Sequence, residues 1–253
     1  GQYRLRERAD GAFFGYAVGP HSFKKFLHVP HQSLWRVNRD NGEIEINAVE
    51  TEPPRYAFIG VRSCEIHAID IQDRVLMHGD FADPHYTARR QDNFVVAVNC
   101  GQAGGTCFCV SMGTGPKADH GYDLALTELI SADRHAFLVE AGTEQGGAML
   151  AELPGREAGP EDRRQAEAVV RETAQSMGRE MDAGKVRDLL MRNLEHPRWD
   201  EVAERCLSCG NCTMVCPTCF CTSVEAYSDL AGIETSRTQR WDCGFTLDFS
   251  DLH

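Results

Sequence analysis

Four cysteines stand close together near the C-terminal end of this chain, and their spacing restricts the fold more than any other feature. They follow the pattern C-x2-C-x2-C-x3-C, with a proline directly after the fourth, at Cys206, Cys209, Cys212, Cys216 and Pro217. This spacing is typical of bacterial ferredoxins, in which the fourth cysteine serves a second cluster. Structural zinc is the alternative, but zinc sites prefer two separated pairs of ligands. The run therefore predicts 4Fe-4S clusters, with these four cysteines as ligands.

A second cluster needs more ligands than this run supplies. No second run of the same spacing appears before the sequence ends at His253. Two explanations stay open: the partner run lies beyond the printed end, or the missing ligands are Cys219, Cys221 and Cys243. We favour truncation, because the sequence also begins with Gly1 rather than Met.

The first half of the chain holds a second group of cysteines, Cys64, Cys100, Cys107 and Cys109. The first two each follow a short apolar run that predicts a buried strand, and the other two follow the glycine-rich loop 101–105. Strand ends at one edge of a sheet bring distant residues together, so these four thiols could hold one cubane. The alternative is that Cys64 and Cys100 are small buried apolar residues and the other two a surface pair.

The order of the predicted elements indicates an α+β chain. Apolar runs at 56–61 and 94–98 predict buried strands on either side of a helix over 65–77. The stretch 153–162 is rich in glycine, proline and charge, which is typical of a linker. Further strands are predicted at 44–46, 124–130 and 136–140, and further helices within 161–194 and 199–205.

The linker divides the chain into two predicted domains. We expect a mixed α/β domain over 1–155 and a helical ferredoxin-like iron–sulfur domain, truncated at its end, over 156–253. With 253 residues, 42% hydrophobic and 25% charged, the composition fits globular domains.

Charge and motif content exclude several classes of function. The chain has 26 Lys and Arg against 38 Asp and Glu, a net charge of −12, and no basic stripe, which argues against a nucleic-acid partner. No apolar run approaches the roughly 18 residues of a membrane span. The sequence shows no dinucleotide fingerprint and no readable nucleophile. His67 and His85 lie near the first cysteines, but histidines more often pack or hydrogen bond than bind metal, so neither is predicted as a ligand.

Longer stretches of the sequence resemble the β subunits of cytosolic nickel–iron sulfhydrogenases, and they are similar to one of the subunits of anaerobic sulfite reductases. The resemblance covers about residues 56–249. It is carried by the phrases GVRSCEIHAI, DPHYTARR, VNCGQAGGTCFCVSMGTG, GYDLALTEL, EHPRWDEVAERCLSCGNCTMVCPTCFC and RWDCGF.

The resemblance implies a cytoplasmic, non-catalytic iron–sulfur subunit with two or more 4Fe-4S clusters. Such a subunit relays electrons between a partner that binds FAD and NAD(P) and a catalytic partner, with a hydrogenase favoured over a sulfite reductase. It also implies that a second ferredoxin run follows the RWDCGF region. From a different class, an iron–sulfur redox sensor is the alternative function.

Overall fold

The computed structural model describes residues 7–19, 22–40, 42–49, 52–244 and 246. In chain order its elements are α1 (Lys24–Leu27), β1 (His31–Asp40), β2 (Glu43–Ala48), β3 (Ala57–Val61), α2 (Ser63–Leu76), α3 (Pro84–Arg90), β4 (Phe94–Val98), a 3-10 helix (Cys109–Met112), β5 (Leu124–Ser131), β6 (Arg134–Ala141), α4 (Glu144–Glu152), α5 (Pro160–Gln175), α6 (Val186–Met191), α7 (Arg198–Ala203), α8 (Asn211–Val215), β7 (Thr222–Ser228) and β8 (Glu234–Trp241).

The chain divides into two compact units. Unit 1 comprises the described residues within 1–21, 56–70 and 93–197, and unit 2 those within 22–55, 71–92 and 198–253. Each unit is thus assembled from segments that are separated in the sequence, and the stretch 153–162 lies inside unit 1. The single domain boundary between residues 155 and 156 stays a prediction.

Unit 1 is built on a sheet with the strand order β3-β4-β5-β6. The first three strands are parallel, and β6 pairs antiparallel with β5. Several of their apolar side chains, such as Val61, Val98 and Ala125, are fully buried, which is why short apolar runs form these strands. Because β3 and β4 are parallel, the segments that follow them, with Cys64 and Cys100, start from the same edge of the sheet.

Helix α5 covers part of this sheet. Ala166 packs with Leu129 and Leu138 in one buried cluster. The helix begins with Pro160, whose missing N–H costs nothing in a first turn, and Asp162 accepts a 2.9 Å hydrogen bond from the backbone N–H of Gly159. These contacts hold helix α5 against the sheet and stabilise its first turn.

Unit 2 is built on an antiparallel sheet with the order β2-β1-β8-β7. Strands β7 and β8 form a hairpin directly after the cysteine-rich run. The predicted helical character of residues 156–253 is therefore not confirmed for 222–241. These strands are rich in threonine, serine and charge and poor in apolar residues, so their period of two gives a weak hydrophobic signal.

Among the described residues, no helix combines the length and the apolar character that crossing a bilayer requires.

Candidate iron–sulfur centres

The four cysteines of the first half lie in segments that begin at one edge of the unit 1 sheet. Cys64 is in the first turn of α2, just after β3, and Cys100 follows β4 by two residues. Cys107 precedes the 3-10 helix, and Cys109 is its first residue. A parallel pair of strands and one loop thus carry all four thiols.

The other three sulfurs of this group lie close enough to Cys64 for their charges to act on its thiol. Burial raises the pKa of the Cys64 thiol to about 12, and the Glu65 carboxylate and the other three thiols act in the same direction. Burial also raises the pKa of the Cys100 and Cys109 thiols, with the neighbouring thiols adding to it. Neighbouring thiols whose ionised forms repel one another are a donor set that a positively charged metal core would neutralise.

A buried cation stands beside this group. The side chain of Arg62 is 1% exposed, and its guanidinium donates hydrogen bonds to the backbone carbonyls of Phe14 at 2.8 Å and Tyr16 at 3.3 Å. Its charge lowers the pKa of the Cys100 thiol, against the effect of burial. The Nε atom of Arg62 is buried with no hydrogen-bond partner among the described atoms. Arg62 therefore stabilises the thiolate form that iron requires.

Backbone hydrogen bonds hold the loop that carries the other two thiols. The backbone N–H of Gly104 donates to the Cys107 sulfur at 3.3 Å, and the N–H of Arg179 donates to the Cys107 carbonyl at 2.9 Å. The N–H of Cys100 donates to the Pro116 carbonyl at 3.1 Å. N–H groups directed at sulfur stabilise thiolate charge and are common around iron–sulfur clusters.

The cysteines of the C-terminal run lie in unit 2, on a loop and the short helix α8. Cys206 and Cys209 are exposed in the loop, Cys212 is exposed in the first turn of α8, and Cys216 is half-buried at its end. The backbone N–H of Ser208 is directed at the Cys206 sulfur at 3.4 Å. Three of the four thiols of this segment are thus exposed.

Cys243, the buried cysteine after β8, lies against this loop. A Cβ atom on Gly210 would come within 3.0 Å of the Cys243 sulfur, and Gly210 has a φ of +67°. Both features require glycine at this position. Cys243 therefore stays a candidate ligand, although the second ligand set is not assigned.

Lys24 brings a positive charge to the other end of the run. It is 5% exposed, its Nζ lies 3.3 Å from the Cys216 carbonyl oxygen, and it lies 4.0 Å from the ring centre of Trp241. Burial lowers the pKa of Lys24, whereas the thiols of Cys219, Cys216 and Cys221 raise it. The charge of Lys24 therefore interacts with the thiols of three cysteines of this region.

We expect Lys24→Met to make the nearest cluster harder to reduce. Removing one buried positive charge near the thiolates lowers the midpoint potential by about 60 mV, which corresponds to about 1.4 kcal/mol for a one-electron couple. A redox titration followed by electron paramagnetic resonance measures the shift. Lys24→Arg, which keeps the charge, and Lys25→Met, which removes an exposed charge from the same helix, serve as controls. A potential equal to that of the unmodified protein would show that Lys24 only packs against Trp241.

The sequence indicates the thiols of both groups but not the two buried cations. Arg62 stands only two residues before Cys64, and this closeness in the sequence is the signal by which it could have been found. Lys24 lies almost 200 residues from the run it faces, and nothing in the sequence connects the two. Whether the eight predicted cysteines bind clusters stays a prediction.

Comparison with known proteins gives two matches. The family model described as a 4Fe-4S dicluster domain matches residues 205–253, which include the C-terminal run. Sulfhydrogenase 2 subunit beta of Pyrococcus furiosus is 31% identical over 229 aligned residues, covering 88% of this chain and 63% of that protein. The chain thus spans less than two thirds of the length of this relative. No solved structure matched the chain.

Proposed function

For this homologue of a sulfhydrogenase beta subunit, which carries a 4Fe-4S dicluster domain, we propose a role in electron transfer within a larger complex. It relays single electrons between a partner subunit that binds FAD and NAD(P) and a hydrogenase catalytic subunit. The observation that carries this proposal is the 31% identity with sulfhydrogenase 2 subunit beta. The same match favours a hydrogenase over a sulfite reductase as the catalytic partner.

The proposed ligands are Cys206, Cys209, Cys212 and Cys216 in unit 2, and Cys64, Cys100, Cys107 and Cys109 in unit 1. When bound, a 4Fe-4S cluster supplies a reversible one-electron couple whose potential depends on burial, charge and hydrogen bonds to sulfur. The chain contributes those factors through its own residues. Arg62 and Lys24 place positive charge beside thiols, and the N–H of Gly104 is directed at a sulfur.

Exposure of the thiols supports transfer to another subunit. Cys64, Cys206, Cys209 and Cys212 have exposed side chains, so clusters held there lie near the protein surface. A relay needs this position, because electrons must pass between subunits. Cys219, Cys221 and Cys243 stay without an assigned role.

We expect the purified chain, with its clusters reconstituted, to show no turnover by itself. It should reduce an artificial electron acceptor only when a flavin partner and NAD(P)H are supplied, because it offers no readable hydride-transfer site of its own. The acceptor's absorbance measures the rate, and Cys212→Ser, which lacks one proposed ligand, should lower it. Oxidation of NAD(P)H or of hydrogen by the chain alone would contradict the proposal.

Purification of the native complex, followed by identification of the subunits that purify with the chain, tests which catalytic partner it has. We expect two subunits, one from a hydrogenase and one that binds flavin, to purify together with the chain. A sulfite reductase subunit in their place would keep the electron-transfer role and change the reaction it serves.

A further inference from the structure

A cluster of two histidines and an aspartate lies in unit 1, outside the cysteine groups. His67 and Asp70 are three residues apart on α2, so they lie on the same face of the helix. His120 comes from the loop before β5. One ligand atom from each of the three side chains lies within 4.8 Å of the other two. The Nε2 atom of His120 is 2.7 Å from Asp70 Oδ2, and the rings of His67 and His120 are 4.9 Å apart.

Main-chain contacts fix the loop that carries His120. The buried Ala118 donates its backbone N–H to the Asn99 side chain at 2.8 Å, and Asp123 donates its N–H to the Val95 carbonyl at 2.8 Å. Both anchors belong to β4 or its end. Gly121, with a φ of +72°, lies so close to Ile66 of α2 that an added Cβ would be 2.5 Å from its methyl group. The loop is therefore held against the helix that carries His67 and Asp70.

The neighbouring carboxylate selects the nitrogen of His120 that can bind a metal. Asp119 Oδ1 lies 2.5 Å from His120 Nδ1. A carboxylate that accepts the Nδ1 proton orients the ring and leaves Nε2 as the ligand atom. Nε2 is the atom that faces Asp70. Ion pairing alone would account for the contacts of His120 with Asp70 and Asp119. It would not account for the His67 ring, which lies against the His120 ring.

We propose that His67, Asp70 and His120 bind a divalent transition-metal ion such as Zn²⁺, with Asp119 as a positioning residue. Two imidazoles and one carboxylate are the donor set of known zinc and iron(II) sites, in which water fills the open positions. The side chains of His120 and Asp70 are 45% and 34% exposed, so water can reach the ion. The bound ion would tie the loop to α2, three residues after Cys64. The proposal is independent of the electron-transfer role.

Zinc X-ray absorption tests the site in the full chain. The protein is reconstituted anaerobically with its iron–sulfur clusters, so that the eight proposed ligand cysteines are occupied, and one equivalent of Zn²⁺ is then added. We expect a first shell of nitrogen and oxygen only, at about 2.0–2.1 Å, without the sulfur shell at about 2.3 Å that thiolates give. A sulfur shell would overturn the proposal.

Zinc affinity in variants, measured by competition with a chromophoric chelator, provides the second readout. His67→Ala and His120→Ala should each weaken zinc binding by more than about tenfold, and Asp119→Asn by about 10- to 100-fold, as for other residues that orient metal ligands. His135→Ala is the matched control. His135 also pairs with a carboxylate, that of Glu128 at 2.7 Å, but it is not part of the two-histidine cluster. The zinc affinity of this variant should equal that of the unmodified protein. Unchanged iron content verifies that each variant is folded. Equal zinc affinity in both histidine variants and the unmodified protein would overturn the proposal.

Discussion

Replacing Cys209 by serine should remove about four iron atoms and about four sulfides per chain, the content of one cubane. Cys206, Cys209 and Cys212 are the three closely spaced cysteines of the run, and together they are proposed to hold one cluster. Serine is a poor replacement, because its hydroxyl does not ionise near neutral pH as a cysteine thiol bound to iron does. Iron and acid-labile sulfide in anaerobically prepared protein are the quantities to measure.

Leu207→Ala is the matched control for this experiment. Leu207 lies in the same loop between two of the cysteines, and its side chain is 87% exposed, so its removal should leave the iron content unchanged. A circular dichroism spectrum verifies that the variants keep their secondary structure. Stoichiometric zinc with negligible iron in the unmodified protein would contradict the electron-transfer role itself.

The fold is most predictable in the two short apolar strands of the unit 1 sheet. The apolar runs at 56–61 and 94–98 predicted strands, and the structure has them at Ala57–Val61 and Phe94–Val98. Strand β4 lies between β3 and β5 and buries Val95 to Val98, so hydrophobicity alone marks it. Strand β3 is at the edge of the sheet, but it still buries Phe58, Gly60 and Val61. The predicted strand over 44–46 is also confirmed, within Glu43–Ala48.

Pairing between distant segments was not predictable. The hairpin of β7 and β8 pairs with β1, about 200 residues earlier, and its strands carry few apolar residues. The stability of such strands comes from their partners and not from local propensity. The nearness of His120 to His67 is not predictable for the same reason, and the sequence gives no sign that His67 is a ligand. Only the tertiary structure brings the loop of His120 to the face of α2.

The candidate ligands also differ in whether a local sequence pattern or the tertiary structure brings them together. The C-terminal run is local, so its spacing alone predicts the chemistry. The first-half group depends on the sheet: Cys64 and Cys100 follow the parallel strands β3 and β4, and the Cys100 thiol is near enough to raise the pKa of the Cys64 thiol. Cluster binding by these four thiols stays a prediction.

We expect Cys107→Ser to remove a different set of about four iron atoms, those of the cluster proposed in unit 1. Cys107 is the member of this group whose sulfur faces the N–H of Gly104. The loss should be independent of the Cys209→Ser loss, so the double variant should lack both sets. Electron paramagnetic resonance of the reduced protein should lose a different signal in each single variant.

Val110→Ala provides the control for unit 1, because Val110 lies one residue from Cys109 and its side chain is 43% exposed. It should keep the full iron content. If these cysteines are instead ordinary buried or surface residues, Cys107→Ser should also keep the full iron content. Equal iron content and identical resonance spectra in Cys107→Ser and the unmodified protein would therefore exclude a cluster in unit 1 and leave the C-terminal run as the only proposed iron–sulfur ligands. Separate losses in the two variants would instead give the chain a cluster in each unit.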